Sequence, residues 1–287
     1  MAINIRTNLS SLAAQRSVES SSLRLNQSYQ RLASGLRINK ASDDAAGLAI
    51  AENLRADSTV ATVAIRNAND AISVISIADQ AIGQIGNVLN RLSELAEQSA
   101  NGVYDNVQRS ALQNEFTALT SEIERIAVTT KFNGIDLLSS GGNILFQVGF
   151  DGGSLSQLAY TGVNATLQAM GLAASGSSAA TYSITGSTFD EAQSASRNAL
   201  EAISSALTSI NHNRGKLGAL QSRLEVSISN LQVARENFKA AESQIRDLDV
   251  AAEAAELTRV NILQQAGAAV LAQANQQPQL ALRLLNQ

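Results

Sequence analysis

The sequence predicts a mainly α fold: a long antiparallel helical, coiled-coil rod with both termini at one end and a small β or irregular region at the other. Three observations carry this. Hydrophobic residues make up 45% of the 287, yet aromatics are only 3%, with no Trp, one Pro and no Cys. Apolarity carried by Ala, Leu, Ile and Val suits narrow helical seams better than one thick core. Apolar residues recur at steps of three and four through two long stretches. Between Phe132 and Phe189 that period disappears.

Val18, Leu25, Tyr29, Leu32 and Leu36 keep a seven-residue rhythm in the first segment, after an earlier patch of Ile5, Leu9 and Leu12. Ser34-Gly35 interrupts this helix, because Gly costs about 1 kcal/mol inside one relative to Ala. A new helix is expected at Ser42, whose hydroxyl can cap a free N–H while Asp43 and Asp44 face the positive end of the dipole. A very long helical run follows, with a kink expected near Asn67 to Asp70. Inside it Ala68, Ala71, Ile75, Ala78, Ile82, Ile85, Leu89, Leu92 and Ala96 alternate three and four without a miss.

Asn101-Gly102 is a turn signal. The next helix, Asn106 to Thr129, places Leu112, Phe116, Leu119, Ile123 and Ile126 on one face and reads as an antiparallel return. Phe132-Asn133-Gly134 marks a turn, and Ile144, Phe146 and Val148 alternate as in a strand that Gly152-Gly153 closes into a loop or hairpin. Residues 173–180, AASGSSAA, suggest an exposed tip or linker, and Tyr182 with Ile184 a further short strand. This region carries few apolar side chains and looks too small for an independent domain.

From Asp190 the helix returns for roughly 55 residues. Leu200, Ile203, Leu207, Ile210, Leu217, Leu224, Ile228, Leu231, Phe238, Ile245 and Leu248 hold its seam, with Arg214 and Arg235 as points of water access or cross-helix pairing. Helices of about 30–55 residues would span roughly 45–80 Å. In the last stretch, Thr258 to Gln287, Leu257, Val260, Leu263, Gly267, Val270 and Ala274 read as one narrow apolar face, flanked by Asn261, Gln264, Gln265, Gln273, Asn275 and Gln276. An isolated helix of this kind is marginal in water, so it requires partners, first of all at the other end of the chain.

The net charge of −4 provides no basic stripe for nucleic acid. Zero cysteines exclude a disulfide framework and thiol chemistry. The N-terminus has no apolar core of a signal peptide, and no uninterrupted apolar run of about 18 residues predicts a membrane span. The one histidine, His212, stands between Asn211 and Asn213 without the ligand spacing of a zinc site. The Gly-rich stretches at 141–142 and 149–153 lack the Lys-Ser/Thr of a phosphate loop. No catalytic, cofactor or metal site is read from the sequence, and no enzyme is expected.

Six blocks point to one family. MAINIRTNLSSLAAQ at the N-terminus, LASGLRINKASDDAAGLAIAENLRA at 32–56, ANDAISVISIADQAI at 68–82, NRLSELAEQSANG at 90–102, TTKFNGIDLL at 129–138 and ILQQAGAAVLAQANQ at 262–276 resemble bacterial flagellin. The resemblance covers roughly residues 1–150 and 190–287. The middle is shorter than the inserts of most flagellins, and no H-E-x-x-H motif occurs in it.

The resemblance implies a subunit that self-assembles into the bacterial flagellar filament for swimming motility, exported unfolded through the flagellar channel and located outside the cell. It implies an N-terminal inner-core segment 1–41, disordered in the monomer and helical in the filament, and N-terminal outer-core helices 42–140. A short variable β/loop region 141–189, a C-terminal outer-core helix 190–248 and an inner-core helix 249–287 complete the plan. The filament-assembly seam is assigned to Leu25, Leu32, Leu36, Val260, Leu263, Val270 and Leu271. The outer-core seam is assigned to Ile75, Ile82, Ile85, Leu89, Leu92, Leu112, Phe116, Leu119, Ile123, Leu224, Ile228 and Leu231.

Implied partners are further copies of the chain, an export chaperone on the C-terminal helix, and the filament cap and hook-junction proteins. The N-R-x-x-E-L-A block also resembles the site bound by the flagellin-sensing Toll-like receptor 5, with Arg91, Leu95 and Glu115 at its centre; Asn90, Ser93 and Glu97 differ from common versions. Two other readings are a hook–filament junction protein and a dedicated receptor ligand or adhesin.

Overall fold

The structure is a computed structural model that describes residues 7–139 and 142–285. Ile5 and the rest of the block before Thr7 lie outside the described residues. Five α-helices account for most of the described chain: α1 (Leu9–Ser34), α2 (Ala45–Ala100), α3 (Asn106–Thr129), α4 (Phe189–Arg246) and α5 (Val250–Leu285). Four short strands lie between α3 and α4: β1 (Lys131–Phe132), β2 (Ile135–Asp136), β3 (Asn143–Gln147) and β4 (Gln157–Thr161). The mainly α expectation holds. The chain divides into a terminal unit, Met1–Ser58 with Glu236–Gln287, and a central unit, Thr59–Arg235; α2 and α4 contribute residues to both.

In the central unit the α2 seam is the core. Ala68, Ala71, Ile75, Ala78, Ile82, Ile85, Leu89, Leu92 and Ala96 are all fully buried. By length and composition α2 could cross a bilayer, since an 18-residue window reaches a mean hydropathy of 1.2. Its seam side chains are, however, packed in this core, while Val60, Val63 and Ile77 stand exposed among polar neighbours. Helix α2 also runs unbroken through Asn67–Asp70, where a kink was expected; the Asn67 amide donates to the Gln147 carbonyl at 3.0 Å.

Helix α3 returns antiparallel to α2, joined by Arg91 to Glu115 at 2.9 Å near one end and meeting the Ile77–Gln84 stretch with Thr129–Lys131 at the other. Its N-terminus is closed by a reciprocal capping box between Asp105 and Gln108. Helix α4 is antiparallel to α2 as well: Arg214 pairs with Asp79 at 2.9 Å, while Ser99 and Ser196 both donate to the Ile184 carbonyl. The α4 seam differs from the expected one in its first half. Ala199 and Ala206 are fully buried, whereas Leu200 and Leu207 are half-buried at its border. Small side chains occupy the line of contact and the leucines flank it.

The middle region is corrected more strongly. Leu137, Leu138, Tyr160, Ala165, Leu167, Leu172 and Ile184 belong to the same buried core as α2, α3 and α4. Segment 173–180 is a turn with an isolated bridge between Ala173 and Ala180 and positive φ at Gly176. Tyr182 and Ile184 form no strand; helix side chains satisfy the backbone of Ile184 instead. Gln113 Oε1 accepts the Ile184 N–H at 2.7 Å, and Glu124 accepts the Leu167 N–H at 2.9 Å. Strands β3 and β4 pair antiparallel with Ile144 opposite Tyr160 and Phe146 opposite Leu158. Strands β1 and β2 meet across Asn133-Gly134, both at positive φ (49° and 79°), as a two-residue hairpin turn requires.

Candidate assembly interface

The terminal unit is built on one helix pair. Along α1, Ser11, Ala14, Val18, Ser21, Leu25, Ser28 and Leu32 form a line of partly or fully buried positions at alternating steps of three and four, with Ser22 and Arg31 half-buried beside it. Along α5 the matching set is Glu253, Leu257, Val260, Gln264, Gly267, Leu271 and Ala274. The pair is antiparallel. The Asn8 amide donates to the Ala274 carbonyl at 2.8 Å, Gln264 donates to Ser22 at 3.2 Å, and Arg31 faces Glu253 at 3.8 Å. The start of α1 therefore lies beside Ala274 in the chain-terminal half of α5.

The contact is close because its residues are small. A Cβ added at Gly267 would stand 2.9 Å from the Val18 methyl Cγ2. The expected apolar face of α5 divides accordingly. Val260 and Leu271 turn toward α1, but Leu263 and Val270 are 48% and 59% exposed. Positions 264 and 271, one residue further on, take the inward places. Leu25 and Leu32 are half-buried on α1, and Leu36 lies beyond the helix.

Gly35 ends α1 in the left-handed conformation with φ +70°, its N–H donating to the Arg31 carbonyl at 2.8 Å. Next to it the two connectors clasp each other. The Arg37 N–H donates to the Arg246 carbonyl at 2.7 Å, the Leu248 N–H to the Gly35 carbonyl at 3.0 Å, and Leu36 bridges Asp247. Arg246 in turn reaches Glu52 at 2.8 Å. The two chain-terminal helices are thus tied at their inner ends as well as along their length.

Helix α2 starts at Ala45, and its cap is Asp44, whose carboxylate accepts the Gly47 N–H at 2.9 Å; Ser42 does not fill that role. An aspartate one turn before the first apolar periodic residue caps as well as serine and adds its charge to the dipole. Asp43 closes the preceding loop. One oxygen accepts the N–H groups of Asn39 and Lys40, both at 3.1 Å, and the other accepts from Gln27. Those backbone donors hold its carboxyl below the ordinary range, with Arg31 contributing less. A depressed folded-state pKa gives stability that is present above the unfolded value, near pH 4, and is lost as pH falls through the folded one. Amide resonances of Asn39 and Lys40 are therefore expected to shift only below about pH 4, and not to titrate in Asp43→Ala.

In the central unit the outer-core positions Ile75, Ile82, Ile85, Leu89, Leu92, Phe116, Ile123 and Leu224 are buried, with Leu231 nearly so and Leu112, Leu119 and Ile228 half-buried. Arg91 is exposed between two carboxylates, Glu94 at 2.8 Å and Glu115 at 2.9 Å; hydrogen bonding to Glu94 first and Glu115 second raises its pKa further. Leu95 is not beside it on the surface. At 1% exposure it belongs to the core, because it falls one step from Leu92 on the packed face. His212 is exposed on α4.

Arg109, outside every seam assigned from the sequence, is fully buried, donates to the Asn101 carbonyl at 3.1 Å where α2 ends, and lies 5.2 Å from the Phe189 ring centre. Its charge faces the negative end of the α2 dipole. The signal was present, since Arg109, Phe116 and Ile123 are seven residues apart.

A chain whose terminal helices pair through a thin seam and leave a second apolar stripe uncovered belongs to the class of helical assembly subunits. The comparisons with known proteins agree. Residues 5–142 match the bacterial flagellin N-terminal helical region and residues 200–285 the bacterial flagellin C-terminal helical region. A flagellin of Halalkalibacterium halodurans is 44% identical over 98% of this chain and 99% of its own length. The flagellar filament 33 kDa core protein of Treponema phagedenis is 38% identical, again over 98% and 99%. A solved structure described as a putative flagellar hook-associated protein from Vibrio parahaemolyticus covers 71% of this chain and all of its own, with TM-score 0.59 and 12% identity, a likeness of fold alone. The chain belongs to the bacterial flagellin family, and is a structural, self-assembling subunit of the flagellar filament. The junction and receptor-ligand readings are not favoured.

Proposed function

We propose that the α1·α5 pair is the module through which this subunit assembles, its outer stripes being covered by the same helices of neighbouring copies. The observation that carries this is the uncovered apolar surface. Leu9, Leu12, Leu23 and Tyr29 on α1, with Ile262, Leu263 and Val270 on α5, are all exposed in the single chain. A helix pair has no third layer to cover them; a polymer supplies one. The same thinness supports disorder of the α1 and α5 segments before assembly, since each ordered residue costs about 1–2 kcal/mol of backbone entropy.

In this reading residues 42–140 and 190–248 form the outer core and residues 141–189 the short variable region. The chain leaves the cell unfolded, with an export chaperone over α5, and joins an extracellular filament between hook-junction and cap proteins. Its role is structural, without enzymatic activity. Leu263→Gln with Val270→Gln tests the module. Burying one such side chain contributes about 1.5–3 kcal/mol, so the monomer concentration needed to elongate filament seeds should rise at least about tenfold. The melting temperature of the central unit should stay unchanged. Unchanged elongation would remove the proposal.

The exposed Arg91, Glu94 and Glu115 supply the charged face for the Toll-like receptor, with Leu95 supporting it from within rather than touching the receptor. In the filament this face packs between subunits. Arg91→Ala should abolish signalling by monomer in receptor-bearing cells; full signalling would end this assignment.

A further inference from the structure

Two Asn-Gly dipeptides stand in exposed turns, Asn101-Gly102 and Asn133-Gly134. Glycine after asparagine leaves its backbone nitrogen least obstructed for attack on the preceding side-chain amide. The structure treats the two dipeptides unequally. Asn101 Oδ1 accepts the Val103 N–H at 3.2 Å, and the Asn101 N–H donates to the Gln98 carbonyl at 3.2 Å. Its carbonyl accepts from the Tyr104 N–H and from the buried Arg109. Side chain and flanking peptides are all held.

Asn133 is held by none of these. Among the described residues its side-chain amide has no hydrogen-bond partner, and Lys131 through Ile135 are all exposed. The hairpin around it has strands of two residues each, with Lys131 pairing to the half-buried Asp136 at 2.9 Å. Such a ladder opens locally at little cost. A third dipeptide, Asp151-Gly152, is protected in another way. Ser156 donates to the Asp151 carboxylate and keeps it ionised, which makes it a poor electrophile.

We propose that Asn133 is the principal deamidation site of this chain, reacting well ahead of Asn101. The Gly134 backbone nitrogen, deprotonated by hydroxide, attacks Cγ of Asn133. The new C–N bond closes a succinimide, the Cγ–Nδ2 bond breaks, and ammonia leaves with a proton taken from water. A water molecule then opens the ring at either carbonyl, leaving aspartate or isoaspartate at position 133. The net change is amide plus water to acid plus ammonia, with no oxidant.

Isoaspartate adds one carbon to the main chain in a turn that has room for two residues at positive φ. The pairing of Phe132 with Ile135 cannot survive that insertion. Directly after the hairpin come Leu137 and Leu138, both fully buried, with the Leu137 N–H on the Thr130 carbonyl and its own carbonyl accepting from Tyr160. The modification therefore loosens the entry of the middle region into the core.

The test is peptide mapping by mass spectrometry after the full chain is incubated in warm, mildly alkaline buffer made with oxygen-18 water, so that the incorporated oxygen marks each converted residue. A synthetic peptide of residues 129–138 under the same conditions shows that the chemistry proceeds. Since the Asn101 site must first break two or three hydrogen bonds, Asn133 should convert at least about tenfold faster. Equal or faster conversion at Asn101 overturns the proposal. So does an unmodified Asn133 in the chain after the peptide has reacted.

Discussion

A chain lacking residues 258–287 should fail to elongate sheared filament seeds that the full chain grows. The truncation leaves α5 only its first two turns and removes Val260, Gln264, Gly267, Leu271 and Ala274, most of the surface that α1 packs on. Helix α1 has 26 residues and two buried side chains, Ala14 and Ser28. An isolated helix of that length and polarity is marginal in water, so losing one partner dissolves both. The central unit, Thr59–Arg235, keeps its own core and should melt as before. Light scattering and electron microscopy read the growth, and calorimetry reads the core. Elongation by the truncated chain would keep the filament role but locate the assembly contacts outside the terminal helices.

How far the sequence could be read depended on whether a residue obeyed a period. The α2 seam repeats three and four with little else competing, and every one of its nine positions is buried. Helix α3 was bounded at Asn106 and Thr129 because turn residues stand at both ends. In α5 the period is ambiguous: Leu263 and Gln264, or Val270 and Leu271, are adjacent, and periodicity alone favours the more apolar set. Packing decided otherwise, since Gly267 opposite Val18 fixes the rotation of the helix and turns Leu263 and Val270 outward.

The middle region escaped for a different reason. Its apolar residues are spaced irregularly and its backbone is satisfied by distant side chains, among them Gln113, Ser99 and Glu124, which no local pattern announces. Leu95 shows the same limit from the other side. Its neighbour four positions back, Arg91, is exposed, yet a step of three from Leu92 places Leu95 in the core.

Gly267→Leu separates helix formation from helix pairing, and the two should move in opposite directions. Leucine favours the helix over glycine by about 1 kcal/mol, so α5 in isolation gains helicity. Paired with α1 it has no room. Even a bare Cβ at this position stands 2.9 Å from Val18 Cγ2, and three further carbons would follow it into the seam. Overpacking of this kind costs about 1–3 kcal/mol or more where neighbours cannot move aside. Val18 is on a helix that is tied at its far end through Gly35 and Leu248, so it can yield only by α1 lifting away. Circular dichroism of a peptide spanning 250–285 should show more helix, while the full-length variant should elongate seeds at least about tenfold more slowly. Val18→Ala in the same chain removes Cγ2, the methyl that faces the new side chain, and should restore part of the rate. If Gly267→Leu elongates normally, the close contact of α1 with α5 is not the geometry the filament uses.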